Sequence, residues 1–292
     1  MNTTDARRTT IGALLDSLAV DLAGVGVPPA RADARDLIAA VLDQPRFWPT
    51  AHRDDPVAEA TFDEIAQATM RLRSGMPFQY AVGKASFRHL TLRVDQRVLI
   101  PRPETELLVD LVMSVAGTTG AIADVGTGSG AIALALAAEG GYERVIATDS
   151  SASALEVARA NLSAIPAGRR AVVEFEEGDL LAPLRGLRLR AVASNPPYIS
   201  PAEEGDLPAA VRDWEPHLAL FSADQGMRAI RDILRNAPDV LAPGGVLVME
   251  VDARRALATA AEATTDSRWR SVDLRRDLTG RERFLVARLQ ER

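Results

Sequence analysis

Ala121-Ile-Ala-Asp-Val-Gly-Thr-Gly-Ser-Gly-Ala-Ile-Ala-Leu-Ala-Leu-Ala-Ala-Glu139 reads as an apolar strand, a glycine-rich turn and an apolar helix. The pattern repeats downstream. RVIATD (144–149) suits a strand, SALEVARANL (153–162) a helix, AVVEFEEGD (171–179) a strand, and LRAVASNPPY (189–198) a strand that runs into two prolines. Alternation of buried strand and helix requires crossover connections, and therefore a parallel sheet covered on both faces. After these come a helix over 226–236, the strand GVLVMEV (245–251) and a helix over 254–263. Two last strands follow, WRSVDL (269–274) and RFLVARL (283–289), close enough to form a hairpin turning at Thr279-Gly280 and to add an antiparallel edge. The prediction is a doubly wound α/β domain with a mostly parallel, seven-stranded sheet.

Upstream the period changes. From Thr9 to about Arg73 the apolar residues recur at helical spacing: Ile11, Leu14, Leu15, Leu18; Leu37, Ile38, Val41, Leu42; Phe62, Ile65, Met70, Leu72. Pro28-Pro29, Pro45, Pro49 and Pro56 punctuate these runs, as expected of a small all-helical unit. Between Phe78 and Val98 the pattern of Phe87, Leu90, Leu92, Val94 and Val98 suits two short strands. The expected domains are thus helical over 1–77, a β-hairpin linker over 78–98, and the α/β domain over 99–292.

Composition narrows the chemistry. The 292 residues carry 34 basic and 40 acidic side chains, a net charge of -6, without the basic footprint of a nucleic-acid coat. There is no cysteine, and the histidines (His52, His89, His217) are scattered, so thiolate catalysis is excluded and no metal site is expected. The N-terminal stretch, with Asp5, Arg7 and Arg8, lacks the apolar core of a signal peptide, and no run approaches a membrane span. A cytoplasmic protein with no membrane partner is expected.

The glycine turn, Asp124 to Gly130, sits where a strand feeds a helix, a site at which backbone amides meet a ligand. Asp149 closes the next strand and can accept from both hydroxyls of a ribose, which together with the turn points to a nucleoside cofactor. A helix-capping role for Asp149 competes with that reading. Gly126, Gly128 and Ala131 formally satisfy the dinucleotide pattern, so the turn alone does not choose between a dinucleotide and S-adenosylmethionine. Three features favour the latter. Asp124 would repel a pyrophosphate yet can position water or loop amides; Asp179 with Leu180 follows the third strand, where a carboxylate meets an adenine amino group and an apolar side chain covers the ring; and Asn195-Pro196-Pro197-Tyr198 ends the fourth strand. Gly126, Thr127, Gly128, Ser129, Gly130, Asp124, Asp149, Asp179, Leu180 and Asn195 are the candidate cofactor contacts.

Two consecutive prolines donate no backbone hydrogen bonds and force an extended path. A planar NH2 group bound there can donate to the Asn195 side-chain oxygen and the Pro196 carbonyl, while Tyr198 stacks on it. Such a cradle suits methyl transfer to an amide or exocyclic amino nitrogen, whose conjugated lone pair needs orientation more than a base. Asn195, Pro196 and Tyr198 are the candidate catalytic residues, and Asn195 to Tyr198, Pro197 included, the candidate substrate contacts. A structural double-proline turn is the competing reading.

The chain closely resembles the release-factor glutamine methyltransferases, the HemK/PrmC family. The resemblance runs through Arg73 to Pro77 with Tyr80 and Gly83, Ile100-Pro-Arg-Pro-Glu-Thr-Glu106, the Asp124–Gly130 turn, Asn195 to Tyr198, Glu215-Pro216 with Ala219-Leu220, Pro243-Gly244-Gly245, and Asp277 to Arg281. It implies methylation of the glutamine amide in the Gly-Gly-Gln loop of class I peptide-chain release factors, with S-adenosylmethionine as cofactor and a helical N-terminal domain that helps dock the release factor. It also implies that Pro101 to Glu104 lie near the active-site mouth, against an equally weighted domain-linker turn for Arg102 and Glu104. Two departures stand out: Glu250-Val-Asp-Ala-Arg-Arg255 where many members carry Glu-x-Gly-x-x-Gln near the cofactor-facing edge, and a less glycine-rich stretch over 222–227. The altered 250–255 stretch motivates an alternative acceptor, an amide or guanidine nitrogen of a small molecule or peptide. A DNA amino-methyltransferase is opposed by the charge balance, since residues 1–95 hold 11 basic and 12 acidic side chains. A non-catalytic binding protein is opposed by the intact motifs. A monomer without direct nucleic-acid contact is expected.

Overall fold

The computed structural model describes residues 9–23, 30–165 and 171–291. The N-terminal stretch with Asp5 and the Pro28-Pro29 break lie outside the described residues. The chain divides into two compact units, one reaching to Lys84 and taking in Ala209–Trp214, the other formed by Ala85–Pro208 and the chain from Glu215 onward.

The first unit is helical, with Ile11–Ala23, Ala30–Val41, Trp48–Ala51, Glu59–Arg73 and the short Phe78–Val82. The helical spacing puts Leu14, Leu15, Leu18, Leu22, Leu37, Ile38, Phe62 and Ile65 into one core. Burying each such side chain is worth about 1.5–3 kcal/mol.

A two-stranded sheet follows, β1 (Lys84–Phe87) and β2 (Leu90–Arg93), which apart from Lys84 belongs to the second unit. The expected hairpin over 78–98 is therefore shorter than its pattern suggested. Phe78–Val82 is helical instead, begun by Pro77 and stopped by Gly83 in the left-handed conformation. Phe87, Leu90 and Leu92 join the core of the second unit.

The main sheet has seven strands: β3 (Ala121–Val125), β4 (Arg144–Asp149), β5 (Val172–Glu177), β6 (Leu189–Ser194), β7 (Leu241–Glu250), β8 (Trp269–Arg276) and β9 (Glu282–Leu289). Their order is β5-β4-β3-β6-β7-β9-β8. β3 pairs in parallel with β4 and β6, β4 with β5 and β6 with β7, while β9 runs antiparallel between β7 and β8. Alternate residues of each strand reach opposite faces. Ile122, Val145, Ala191, Val246 and Val248 meet helices Glu106–Ala116 and Ala131–Glu139, whereas Ala123, Val125, Ile146, Val192, Leu247 and Met249 belong to the core that contains helix Arg228–Val240. That last helix runs past the expected end at Asn236 and absorbs Pro238, and the next one starts at Ala256 rather than 254.

The strand order reverses between β3 and β6, which places the ends of both strands at the topological switch point where open α/β sheets bind ligands. Among the described residues, no helix is long and apolar enough to cross a membrane.

Candidate active site

The glycine turn between β3 and helix Ala131–Glu139 needs its glycines for their backbone shape, since Gly126, Gly128 and Gly130 all have positive φ (75°, 54° and 83°). The amides of Gly126 and Thr127 both donate to the Thr148 carbonyl at 2.9 Å, which ties the turn to β4. Asp124 is fully buried. Its Oδ2 accepts from Thr127 Oγ1 at 2.6 Å and from the Ala133 amide at 3.0 Å, so this carboxylate caps the helix from the strand side. Burial pushes its carboxyl up to about 7, against the pull of Thr127 and Ala133.

Asp149 at the end of β4 accepts from the Gly128 amide at 2.8 Å through Oδ2 and from the Ser151 amide at 2.9 Å through Oδ1. The cap of helix Ala152–Asn161 is Ser151, whose side chain accepts from the Ala154 amide, and not Asp149. A cavity of about 290 Å³ opens beside it, lined by Gly126, Asp149, Asp179, Leu180, Asn195 and Pro197, together with Ala154, Leu218, Ala219 and Phe221. Apolar surface and carboxylates suit a nucleoside with a diol and an amino group. Three lining carboxylates, Asp149, Asp179 and Asp232, oppose a pyrophosphate, and the lining arginines are engaged elsewhere: Arg97 with Asp95 and Glu156, Arg228 with Asp232. The donor set therefore fits S-adenosylmethionine better than a dinucleotide.

Six of the residues singled out in the sequence line this cavity: Gly126, Asp149, Asp179, Leu180, Asn195 and Pro197. Asp124, Thr127, Gly128, Ser129, Gly130, Pro196 and Tyr198 do not. Thr127 and Asp124 hold the turn from inside, and the Ser129 carbonyl accepts from Asn161 at 2.9 Å. Asn161, only 2% exposed, also exchanges hydrogen bonds with the Arg93 backbone, binding β2 to the glycine turn. Nothing local in the sequence marked Asn161, because its partners lie 68 and 32 residues away.

The Asn-Pro-Pro-Tyr segment leaves the end of β6 and is held from the side. Ile199 donates to the Leu220 carbonyl at 3.0 Å, and Ser222 donates back to the Ile199 carbonyl at 2.8 Å. Among the described residues, no donor pairs with the Pro196 carbonyl. Asn195 Nδ2 donates to Thr105 Oγ1 at 3.2 Å, and Thr105 Oγ1 donates to Glu250 Oε2 at 2.7 Å. Glu250 is 1% exposed; burial raises its carboxyl, opposed by the Thr105 hydrogen bond and by Arg283 and Arg102. Tyr198 packs against the core that contains helix Arg228–Val240, and burial, with Glu250 and Asp252 nearby, pushes its phenol up to about 12.

Arg102 Nη2 reaches both oxygens of buried Glu215, at 2.6 and 2.8 Å. That pair anchors the start of the segment whose Pro216, Leu218, Ala219 and Phe221 wall the cavity; Arg102 itself does not line it, and Glu104 is exposed. The altered stretch after β7 lies outside the cavity wall, although Asp252 is near Tyr198. None of Glu250 to Arg255 lines the cavity; Arg254 and Arg255 instead line a separate cleft with Ser200 and Glu203, and both pair with Glu203. The departure thus sits beside the Asn195–Tyr198 segment and not in the wall of the cavity.

Residues 13–83 match the family model described as PrmC N-terminal domain, and residues 103–210 match Methyltransferase small domain. A release factor glutamine methyltransferase of Moorella thermoacetica is 40% identical over 92% of this chain and 95% of its own length. One of Deinococcus radiodurans is 38% identical over 94% of this chain and 97% of its own. Among solved structures, a methyltransferase from Pyrococcus furiosus superposes with a TM-score of 0.52 at 16% identity, over 69% of this chain and 89% of that one, a likeness of fold. With two relatives alike over nearly their whole lengths, this chain belongs to the release factor glutamine methyltransferase family.

Proposed function

We propose that this chain transfers a methyl group from S-adenosylmethionine to the side-chain amide N5 of the glutamine in the Gly-Gly-Gln loop of class I release factors. The observation that carries the reading is one cavity lined by Gly126 and Asp149 together with Asn195 and Pro197. Bound S-adenosylmethionine supplies an electrophilic methyl group. Asp149 holds the ribose, Asp179 and Leu180 the adenine, and the glycine turn the remainder, with Asp124, Thr127 and Ser129 keeping that turn in shape.

The acceptor amide donates its two hydrogens to Asn195 Oδ1 and the Pro196 carbonyl, and we assign the aromatic contact to Tyr198. Both hydrogens are then fixed and the nitrogen lone pair is directed out of the amide plane. Catalysis of this kind rests on orientation and on acceptors already in place, which stabilise the positive charge growing on the nitrogen. We assign release-factor docking to the helical N-terminal domain, and a cytoplasmic, monomeric protein without direct nucleic-acid contact completes the reading.

Incubation with methyl-labelled S-adenosylmethionine and either a class I release factor or adenine-containing DNA tests it. Label is expected in the protein alone. Label in DNA, or in neither acceptor despite bound cofactor, contradicts the proposal.

A further inference from the structure

An asparagine side chain presents two ends of similar size, an oxygen that accepts and a nitrogen that donates, and half a turn exchanges them. The cradle works only if the oxygen faces the acceptor amide. Local sequence does nothing to choose, because Pro196 and Pro197 carry no amide hydrogen to engage that oxygen.

The choice is made from two other elements. Thr105 ends the 3-10 turn Pro103–Thr105 ahead of helix Glu106–Ala116, and Glu250 ends β7. As a carboxylate Glu250 only accepts, and in that form it takes the single hydroxyl proton of Thr105 across 2.7 Å. The hydroxyl then has only lone pairs to offer Asn195, which must answer with its NH2 at 3.2 Å. A flipped Asn195 would set its oxygen against the Thr105 oxygen with no proton between them. Thr105 and Glu250 are both buried, at 5% and 1% exposure, so water does not readily replace either partner. Glu250 is itself steadied by Arg283, 4.0 Å away and paired with Asp277 at 3.0 Å.

We propose that Thr105 and Glu250 are positioning residues that fix the Asn195 amide with its oxygen towards the acceptor glutamine. The inference rests on the cradle reading above. It also gives Glu250, within the otherwise altered 250–255 stretch, a defined task that its neighbours do not share.

The test is steady-state methyl transfer to a release factor by the whole chain, with cofactor affinity measured separately. Thr105→Val, which removes the hydroxyl and keeps the shape, is expected to lower kcat at least tenfold while KM and cofactor affinity stay within about threefold. Thr105→Ser is expected to restore most of the rate. In an Asn195→Ala background, Thr105→Val is expected to change kcat less than about twofold, since a residue acting through Asn195 has nothing left to position. A wild-type rate in Thr105→Val, or its full loss repeated in the Asn195→Ala background, overturns the proposal. Glu250→Leu, which removes the acceptor and frees the Thr105 proton to turn towards Asn195, decides the matter if Thr105→Val does not fold: a lowered kcat with unchanged cofactor affinity supports the relay, and a wild-type rate overturns it. Failure of the wild-type chain itself to methylate the release factor would instead overturn the function on which the inference rests.

Discussion

Asn195 and Asp149 line one cavity, and the different roles proposed for them predict different effects of substitution. Asn195→Ala is expected to lower turnover by about 10² or more while cofactor affinity stays within a few fold, because the lost contact matters most as charge develops on the acceptor nitrogen. Unchanged turnover would remove Asn195 from the mechanism. Asp149→Ala is expected to weaken S-adenosylmethionine binding about tenfold or more, as loss of a charged hydrogen-bond partner does. Titration calorimetry showing wild-type affinity would refute the ribose assignment. Asp124 offers a test of a different kind. Its folded carboxyl, held near 7 against an ordinary 3.8, prefers the proton, so the stability that proton contributes is complete below about 3.8 and is lost as pH rises through 7. The difference in Tm between wild type and Asp124→Asn should therefore turn against the wild type between pH 4 and 8. A difference that is flat with pH would mean that Asp124 is not so perturbed.

At the scale of elements, the segment from Asn195 to Ile199 depends on what lies beside it. Gly226 has a φ of 85°, and a Cβ built there would sit 2.1 Å from the Tyr198 carbonyl oxygen, so no side chain fits without moving the cradle. Gly226→Ala combines backbone strain with overpacking, each costing about 1–3 kcal/mol. A lower urea midpoint and a lower methyl-transfer rate are expected together; an unchanged midpoint would show that the cradle tolerates displacement. The strands β3, β4, β6 and β7 were legible because buried parallel strands are apolar runs and their glycine and proline punctuation is strong. The helix Phe78–Val82 was missed because five residues are too few to show a period, although Pro77 and Gly83 bracketed it. The Asn195–Thr105–Glu250 chain was not legible at all. Its links span 90 and 145 residues, and only the sheet order brings the ends of β6 and β7 beside the Ile100–Glu106 stretch.

Over the whole molecule, the division into units differs from the one expected along the chain. The break falls after Lys84, inside the stretch read as a linker, and Ala209–Trp214 groups with the helical unit although more than a hundred residues separate them in sequence. A pattern read along the chain has no means of registering such a return. Gly126 and Asp149, proposed for the nucleoside, and Asn195 and Pro197, proposed for the acceptor, could each be picked out along the chain because each sits at or just past the end of a strand, where glycine, proline and carboxylate punctuation is strong. Their meeting in one cavity follows from the reversal of strand order between β3 and β6, a property of the fold as a whole. The most direct measurement is mass spectrometry of the Gly-Gly-Gln peptide from a class I release factor treated with this protein and S-adenosylmethionine, beside a glutamine-to-alanine release factor. A single added methyl group on that glutamine, and none on the control, is the expected result. Methyl transfer to both proteins alike, or to neither while the cofactor binds, would contradict the account.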